Sequence, residues 1–459
     1  MRCRGCLLLL TVAVLLPPAA LAASSSNDAA ADAASAAVER TAALPAYGWN
    51  KPHRAAITTT FRLEDHLEAD WSGAVTWWVH WHVHLLGFSK VYFFADSAFT
   101  VTWLRKLGLD DGHVEIVPSH AWTYEQTDLH EFITRQTDNC AKAYELAAQQ
   151  GIGWLMHMDV DELFYLARGG TLEHHLRRLS KLRIGSFTYA NLEALADNTH
   201  MEGSTYFEEV PAGSFKKHPS FFGMSPQELW ASPRSIMNKL RFGPPSQGST
   251  TDGTKREYFF SYSNGKSLVR VGRLPKHMRP EPRNHYWVYG KGGDATVRGK
   301  LVRNCKAFVY DAIAHATYES KLAKDVYILH FVNVGFLFWR DKYLLLGTFN
   351  DGYLQGRFPV PFDSMLASRD AVAKGDENVA FEYFKNTFVC TGTCRDELRD
   401  HGIFMEDVDV QQEKRRLEGA AQSGKAGAGQ QAGVVAKERK RKKDQKNANT
   451  RKFAASYEL

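Results

Sequence analysis

The stretch that decides the fold runs from Gly153 to Phe164 and reads GWLMHMDVDELF. Its apolar first half has the length and composition of a buried strand, and Gly151 separates it from an amphipathic segment before it. The apolar run ends in acids, with Asp159 and Asp161 two residues apart. Because side chains alternate along a strand, this spacing predicts both carboxylates on one side of the chain, within reach of one divalent cation.

The sequence on either side of this stretch alternates between apolar strands and longer helical segments. The predicted strands are Ala56 to Phe61, Lys90 to Ala95 and Gly153 to Val160, and the predicted helices are Val75 to Leu86 and Leu129 to Gln150. This rhythm predicts an α/β fold with a mostly parallel sheet flanked by helices. Ligands of such folds bind at the carboxyl ends of the strands, which makes Asp96 a second candidate beside the Asp159–Asp161 pair.

The two ends of the chain differ in composition from this central region. Two arginines, a short apolar run and a Pro-Pro pair form the pattern of a secretory signal. We therefore predict a signal peptide or an uncleaved signal anchor over 1–23 and an Ala/Ser-rich stem or linker over 24–54. A folded domain over 55–410 and a disordered basic tail over 411–459 complete the predicted organisation.

The positive charge of the chain belongs to the predicted tail. Residues 411–459 hold 13 Lys and Arg against 5 Asp and Glu, whereas the other residues hold 44 against 46. A near-neutral body gives no support for a nucleic-acid partner, and we expect none. The 44% hydrophobic content of the 459 residues is enough for a large core and excludes a disordered protein.

Five blocks resemble, in order along the chain, the motifs of DxD-containing glycosyltransferases of family 92 and the family 2-like group. They are Trp77–Ala95, Arg135–Cys140, Trp154–Phe164, Asn264–Arg270 with His285, and His330–Gly347. The resemblance covers about residues 55–350 and implies a GT-A-like nucleotide-binding fold. It also implies a metal-dependent hexosyl- or pentosyltransferase that uses a nucleotide-sugar donor, such as a UDP-sugar, and inverts the anomeric centre.

The same resemblance, taken with the predicted signal segment, implies where the enzyme works and on what. The acceptor would be a glycan or a glycoprotein, and the enzyme would lie in the lumen of the secretory pathway, in the Golgi. Secretion is the alternative, and a membrane partner follows only if 1–23 remains uncleaved.

Carried over residue by residue, the resemblance implies a donor site with a metal ion. Asp159 and Asp161 would hold Mn²⁺ or Mg²⁺ together with the donor diphosphate. His285 would complete the metal sphere, with His330 as its rival. The remaining donor contacts would come from Arg62, Glu64, Asp96 and Gln136. Lys266 stands on a predicted strand, where its charge is compatible with a phosphate contact or with a solvated surface position.

An inverting transferase also needs a carboxylate that takes the proton of the acceptor hydroxyl. Four acids follow the DxD stretch at plausible distances, namely Glu193, Asp197, Glu208 and Glu209. We prefer Glu193, because it follows the apolar strand predicted from Ile184 to Ala190. Two other functions remain open: a glycoside hydrolase with a pair of acids, and a non-catalytic carbohydrate- or nucleotide-binding protein on a transferase scaffold.

Two smaller patterns have both a functional and a structural interpretation. His80, His82 and His84 suggest a metal site, but only His80 and His84 share a helix face, and the tryptophans around them favour packing. Cys390 and Cys394 frame a Thr-Gly-Thr loop that is compatible with a small disulfide or with two unrelated thiols.

Overall fold

This computed structural model describes most of the predicted folded region and the beginning of the predicted tail. The described residues are 53–109, 112–119, 129–167, 169–181, 186–197, 206–218, 221, 265–272, 280–282, 285, 287–289, 325–347, 349, 363–400 and 402–420. The predicted signal segment 1–23 and nearly all of the predicted stem lie outside them. Among the described helices, none combines the length and the apolar character that a membrane crossing requires.

Twelve strands are found in the described part of the chain. They are β1 (Ala55–Phe61), β2 (Lys90–Ala95), β3 (Val114–Pro118), β4 (Trp154–His157), β5 (Glu162–Leu166), β6 (Ser186–Tyr189), β7 (Asn191–Ala194), β8 (Phe215–Lys216), β9 (Lys266–Arg270), β10 (Pro280–Pro282), β11 (Trp287–Tyr289) and β12 (Val326–His330).

Nine α-helices are found in the same described part. They are α1 (Trp71–Val79), α2 (Ala98–Lys106), α3 (Leu129–Gln149), α4 (Leu172–Lys181), α5 (Phe336–Leu346), α6 (Asp363–Ala373), α7 (Glu377–Phe388), α8 (Thr393–Asp400) and α9 (410–420).

The larger sheet has six strands in the order β3-β2-β1-β4-β9-β6. The four strands β1 to β4 are parallel, and β9 runs antiparallel to both of its neighbours. The predicted α/β class, with a mostly parallel sheet flanked by helices, is confirmed for this sheet. The reversed strand β9 has no counterpart in the expectations from sequence.

Both faces of the central strands are buried, which explains why β2 and β4 read as nearly continuous apolar runs. Ile57, Phe93 and Met156 face the main core, whereas Tyr92 and Leu155 on the same strands face a second cluster. The second cluster is covered by α3, whose apolar residues pack on the strands. The period of two therefore divides one apolar sequence between two layers of core.

A second sheet of four strands lies beside the first, in the order β5-β12-β7-β8. Strand β12 pairs antiparallel with β5 and parallel with β7. The chain passes from the first sheet to the second through the short turn between β4 and β5. That turn contains Asp159 and Asp161, so the acids lie where the two sheets meet.

The predicted helix over Val75 to Leu86 is divided into two kinds of helix. Residues Trp71–Val79 are α-helical, with the Asp70 side chain accepting the Gly73 N–H at the N-cap, and His80–Leu85 form a π-helix. The wider turn buries His82 completely: its Nε2 accepts the Phe164 N–H at 3.0 Å, and its Nδ1 lies 2.9 Å from the Trp78 carbonyl. His82 is therefore a hydrogen-bonded core residue, and its burial lowers its pKa to about 3.

Two boundaries predicted from the sequence differ from the structure. The strand predicted to reach Val160 ends at His157, because the chain turns there. Residues 411–420, which the prediction assigned to the disordered tail, are helical, and Leu417 packs into the main core. Val410 and Leu417, seven residues apart on one face of this helix, are both buried.

The loop between Cys390 and Cys394 is closed by a disulfide, with the two Cα atoms 5.5 Å apart. The bond ties the end of α7 to the beginning of α8. The Cys390 N–H donates to the Ala196 carbonyl at 3.0 Å, which fastens the loop to the chain after β7. The sequence left the disulfide and the free thiols as alternatives, and the structure selects the disulfide.

Gly265, at the entrance to β9, is a position where we expect only glycine to be tolerated. Its φ is +59°, and a Cβ there would lie 1.8 Å from the Tyr189 carbonyl oxygen. Gly265→Ala should lower the free energy of unfolding by at least about 3 kcal/mol, because it combines backbone strain with a clash against main chain.

Gly375 supplies the matched control, because its φ is +70° but nothing lies within 4 Å of the position that a Cβ would occupy. Gly375→Ala should lower the free energy of unfolding by only about 1–2 kcal/mol, because it introduces the backbone strain without the clash. Urea unfolding of both variants measures the difference. Equal losses for the two variants would contradict the close approach at Gly265.

Candidate active site

The topology of the two sheets collects polar side chains at one edge. Strands β1, β2 and β4 are parallel neighbours, so Arg62, Asp96 and Asp159, which follow them, lie at the same edge. Strand β9 is reversed, and its first residue Lys266 therefore lies at this edge as well. In the second sheet His330, at the end of β12, lies opposite the first residue of β5.

Asp159 is held by two donors that come from different elements. Lys266 Nζ donates to its Oδ2 at 2.6 Å, and Gln136 Nε2 on α3 donates to its Oδ1 at 3.1 Å. Burial alone would raise the pKa of Asp159, but the Lys266 ammonium outweighs it and lowers the pKa to about 2. The side chain remains 31% exposed, so an ionised carboxylate is accessible at this edge.

Asp161 is bound to cations from the other side of the turn. Lys342 Nζ on α5 donates to its Oδ2 at 2.9 Å, and His330 Nε2 lies 3.7 Å from the same oxygen. Burial would raise the pKa of Asp161, but Lys342 and His330 together hold the pKa well below its usual range. Asp159 and Asp161 stand in a turn and not on a strand, and each carboxylate binds a different lysine.

A buried chain of ion pairs continues behind Asp161. His330 lies between Asp161 and Glu193, with its Nδ1 3.6 Å from Glu193 Oε1. Lys216 Nζ donates to Glu193 Oε2 at 3.2 Å. Burial would lower the pKa of His330, but its contacts with Asp161 and Glu193 raise the pKa to about 9, so the ring is a cation at neutral pH.

The role predicted for Glu193 does not suit its surroundings. Its side chain has no exposed area, and both carboxylate oxygens face cations, Lys216 and His330. In this position Glu193 cannot reach the hydroxyl of an acceptor, and it orients His330 instead. Two of its alternatives are also paired: Asp197 lies 3.6 Å from Arg395, and Glu208 binds Lys414 at 2.6 Å.

The other residues predicted to contact the donor lie at the same edge but differ in burial and in their partners. Asp96 is fully buried and binds Arg135 NH1 on α3 at 2.6 Å, so in this arrangement it positions α3. Arg62 and Glu64 bind each other at 2.7 Å directly after β1, and both remain partly exposed. Gln136 and Lys266 both bind Asp159, which makes them supports of that carboxylate.

The two histidines proposed for the metal sphere lie against different acids. His285 Nδ1 bonds to the Gly265 carbonyl at 3.1 Å, and His285 lies close enough to Lys266 and Asp159 for their charges to act on it. Burial lowers the pKa of His285 far below its usual value. His330 is the histidine beside Asp161. Within the described ranges, no three His, Cys, Asp or Glu side chains form a group that could hold a metal ion.

The structure adds residues that the sequence interpretation did not select. Lys342 lies inside the block His330–Gly347, which was noted as a motif, but only its pairing with Asp161 reveals its place in the site. Glu162 accepts the Asp159 N–H at 3.0 Å and lies 3.4 Å from Lys266 Nζ. These two contacts stabilise the turn. The DVDE pattern was the available signal for Glu162.

Comparison with known proteins gives a partial likeness. No family model matches the chain. Two Arabidopsis thaliana proteins, each named glycosyltransferase-like, are 26% identical over 195 and 165 residues. The matches cover 41% and 35% of this chain, and 35% and 27% of the relatives, so the chain spans about a third of the curated relatives it matches.

Solved structures give a weaker likeness. The Mn/GDP form of core-mannan synthase A (Ktr4) from Aspergillus fumigatus is 12% identical, with 73% of this chain and 86% of that chain covered. The TM-score is 0.25, and the match therefore carries no argument. The names of the Arabidopsis relatives support the transferase class, whereas family 92 in particular has no support from the comparisons.

The raised pKa of His330 predicts a pH-dependent part of the stability. A histidine whose pKa is higher in the folded state stabilises the fold fully below its unfolded value near 6.5, and this contribution is lost as pH rises through about 9. The free energy of unfolding of the wild-type protein should therefore fall between pH 6.5 and 9 by on the order of 1–3 kcal/mol more than that of His330→Gln.

Urea unfolding over this pH range measures the difference. The exposed His174 on α4 is the control, because its substitution by Gln should leave the pH dependence of the wild type unchanged. Parallel pH profiles for the wild type and His330→Gln would show that His330 is not held as a cation between Asp161 and Glu193.

Proposed function

We propose that this protein is a glycosyltransferase that uses a nucleotide-sugar donor, with its active site at the edge where β1, β2 and β4 end. The observation that carries the proposal is the partly exposed pair Asp159 and Asp161 at that edge, with lysines on both sides. A nucleotide diphosphate is a fitting ligand for such an edge, because ligands of parallel sheets bind at the carboxyl ends of strands. The motif resemblance and the names of the Arabidopsis relatives support the same class.

The finer assignments also form part of the proposal. The donor is a UDP-linked hexose or pentose, the acceptor is a glycan or a glycoprotein, and the anomeric centre is inverted. In this reaction the acceptor oxygen forms a bond to the anomeric carbon, the bond from that carbon to the diphosphate oxygen breaks, and a base takes the hydroxyl proton.

Cations beside Asp161 suit the charge that develops in this reaction. The departing nucleoside diphosphate gains negative charge, and fixed positive groups stabilise it most when they are held in place before the reaction. Lys342 is held by Asp161 at 2.9 Å, and His330 is held between Asp161 and Glu193. The acids of this site therefore act by fixing the positions of the cations.

A glycoside hydrolase, the other enzyme class considered, suits the site less well. Hydrolases of that kind need one protonated acid that donates to the leaving oxygen. Asp159 and Asp161 are both paired with lysines, which keep them ionised at neutral pH. A binding protein on a transferase scaffold differs from the proposal by its lack of turnover, which the next experiment measures.

The proposal predicts slow hydrolysis of one nucleotide sugar when no acceptor is present. The full chain, produced through a secretory route, is incubated with a panel of nucleotide sugars, and release of the nucleoside diphosphate is followed. Asp161→Asn should lower the rate by at least about 100-fold, because it removes the group that fixes Lys342 and His330.

Asp65→Asn is the matched control, because the Asp65 side chain is 85% exposed, and it should retain the wild-type rate. Thermal unfolding of both variants establishes that they are folded. Nucleotide binding without release of product from any donor, even with a mixture of glycan acceptors, would leave the binding protein as the better description.

We also propose that the protein works in the lumen of the secretory pathway, in the Golgi or after secretion. The Cys390–Cys394 disulfide supports this, because such bonds persist in oxidising compartments. In protein isolated from its natural source, a thiol-alkylating reagent should label Cys390 and Cys394 only after reduction. Peptide mass analysis measures the label, and full labelling without reduction would contradict the compartment.

A further inference from the structure

The two acids expected to bind a metal ion already have cationic partners. Both carboxylate oxygens of Asp159 accept hydrogen bonds, from Lys266 at 2.6 Å and from Gln136 at 3.1 Å. Oδ2 of Asp161 accepts from Lys342 at 2.9 Å and lies 3.7 Å from His330 Nε2. In a typical metal site, by contrast, carboxylate oxygens without other cationic partners converge on one position.

A divalent ion fits this donor set poorly. Carboxylate oxygens bind Mg²⁺ at about 2.1 Å. An ion on Oδ2 of Asp161 would therefore lie within about 5 Å of the Lys342 ammonium, whose nitrogen is 2.9 Å from that oxygen. An ion on Oδ2 of Asp159 would lie equally close to Lys266. The described residues hence do not form a ready metal centre, and the lysines supply positive charge at the same oxygens.

Lys342 is a cation beside Asp161 that a ligand can reach. Its side chain is 33% exposed, whereas the side chain of Lys266 has no exposed area. An ammonium group has three N–H donors, and one of those of Lys342 is directed at Asp161. Helix α5 carries Lys342, and the neighbouring Asp341 fixes α5 by accepting the Ala69 N–H at 2.9 Å.

We propose that the Lys342 ammonium binds the diphosphate of the donor and that donor binding needs no divalent cation. Asp161 is then a positioning residue, which aims Lys342 at the phosphate oxygens. Lys266 keeps Asp159 ionised and the turn closed from within the core. This inference rests on the proposed transferase function and adds to it the group that neutralises the leaving nucleotide.

Calorimetric titration with UDP, GDP and CDP tests the proposal on the full chain, once in EDTA and once in Mn²⁺. One nucleotide should bind in EDTA, and Mn²⁺ should change its Kd by less than about twofold. Lys342→Met should weaken binding at least tenfold, whereas Lys342→Arg should retain most of it, because the charge is kept. Lys385→Met, which removes an exposed lysine on α7, should bind as the wild type does.

The possible results distinguish this inference from the function on which it rests. Binding that requires Mn²⁺ would overturn the inference and leave the transferase proposal in place. Binding in EDTA that Lys342→Met does not weaken would overturn the role of Lys342. Failure of all three nucleotides to bind with or without Mn²⁺ would overturn both proposals. Should Lys342→Met fail to fold, the comparison of EDTA with Mn²⁺ on the wild-type protein and on Lys342→Arg still decides the question.

Discussion

The burial of acids against lysines in the turn between β4 and β5 is the interaction on which the rest of the structure depends. A carboxylate taken out of water is costly unless a cation and hydrogen bonds compensate for the loss. Asp159 is compensated by Lys266 on β9, and Asp161 by Lys342 on α5. These lysines are distant in sequence, so the turn connects β9 of the first sheet and α5 to the point where the two sheets meet.

The parts of the fold that local patterns encode were predictable from the sequence. The apolar runs that became β1, β2 and β4 have strand length, and α3 shows the alternation of apolar and polar residues that a helix on a sheet requires. Helices between successive strands predict that the strands are parallel. Because parallel strands end at the same edge of a sheet, Asp96 and Asp159 lie at one edge. The location of the candidate site therefore needed only local information.

The partners within the site were not predictable, because they depend on register between distant segments. Nothing local distinguishes the antiparallel β9 from a parallel strand, yet its reversal brings Lys266 to the edge. Lys342 stands in a helix whose sequence gives no sign of Asp161. Glu193 was expected to be accessible after an apolar strand, but β7 lies between β12 and β8, and this position buries it completely. The π-helix that buries His82 is likewise set by tertiary contacts.

Helix α9 limits how far the chain can be shortened. Lys414 binds Glu208, which also accepts the indole N–H of Trp77, and Leu417 completes the main core. A cut at 410 would remove Lys414 from Glu208, the carboxylate that holds the Trp77 indole, and would take Leu417 out of the main core. A truncation that respects the described core must therefore keep the chain to at least residue 420.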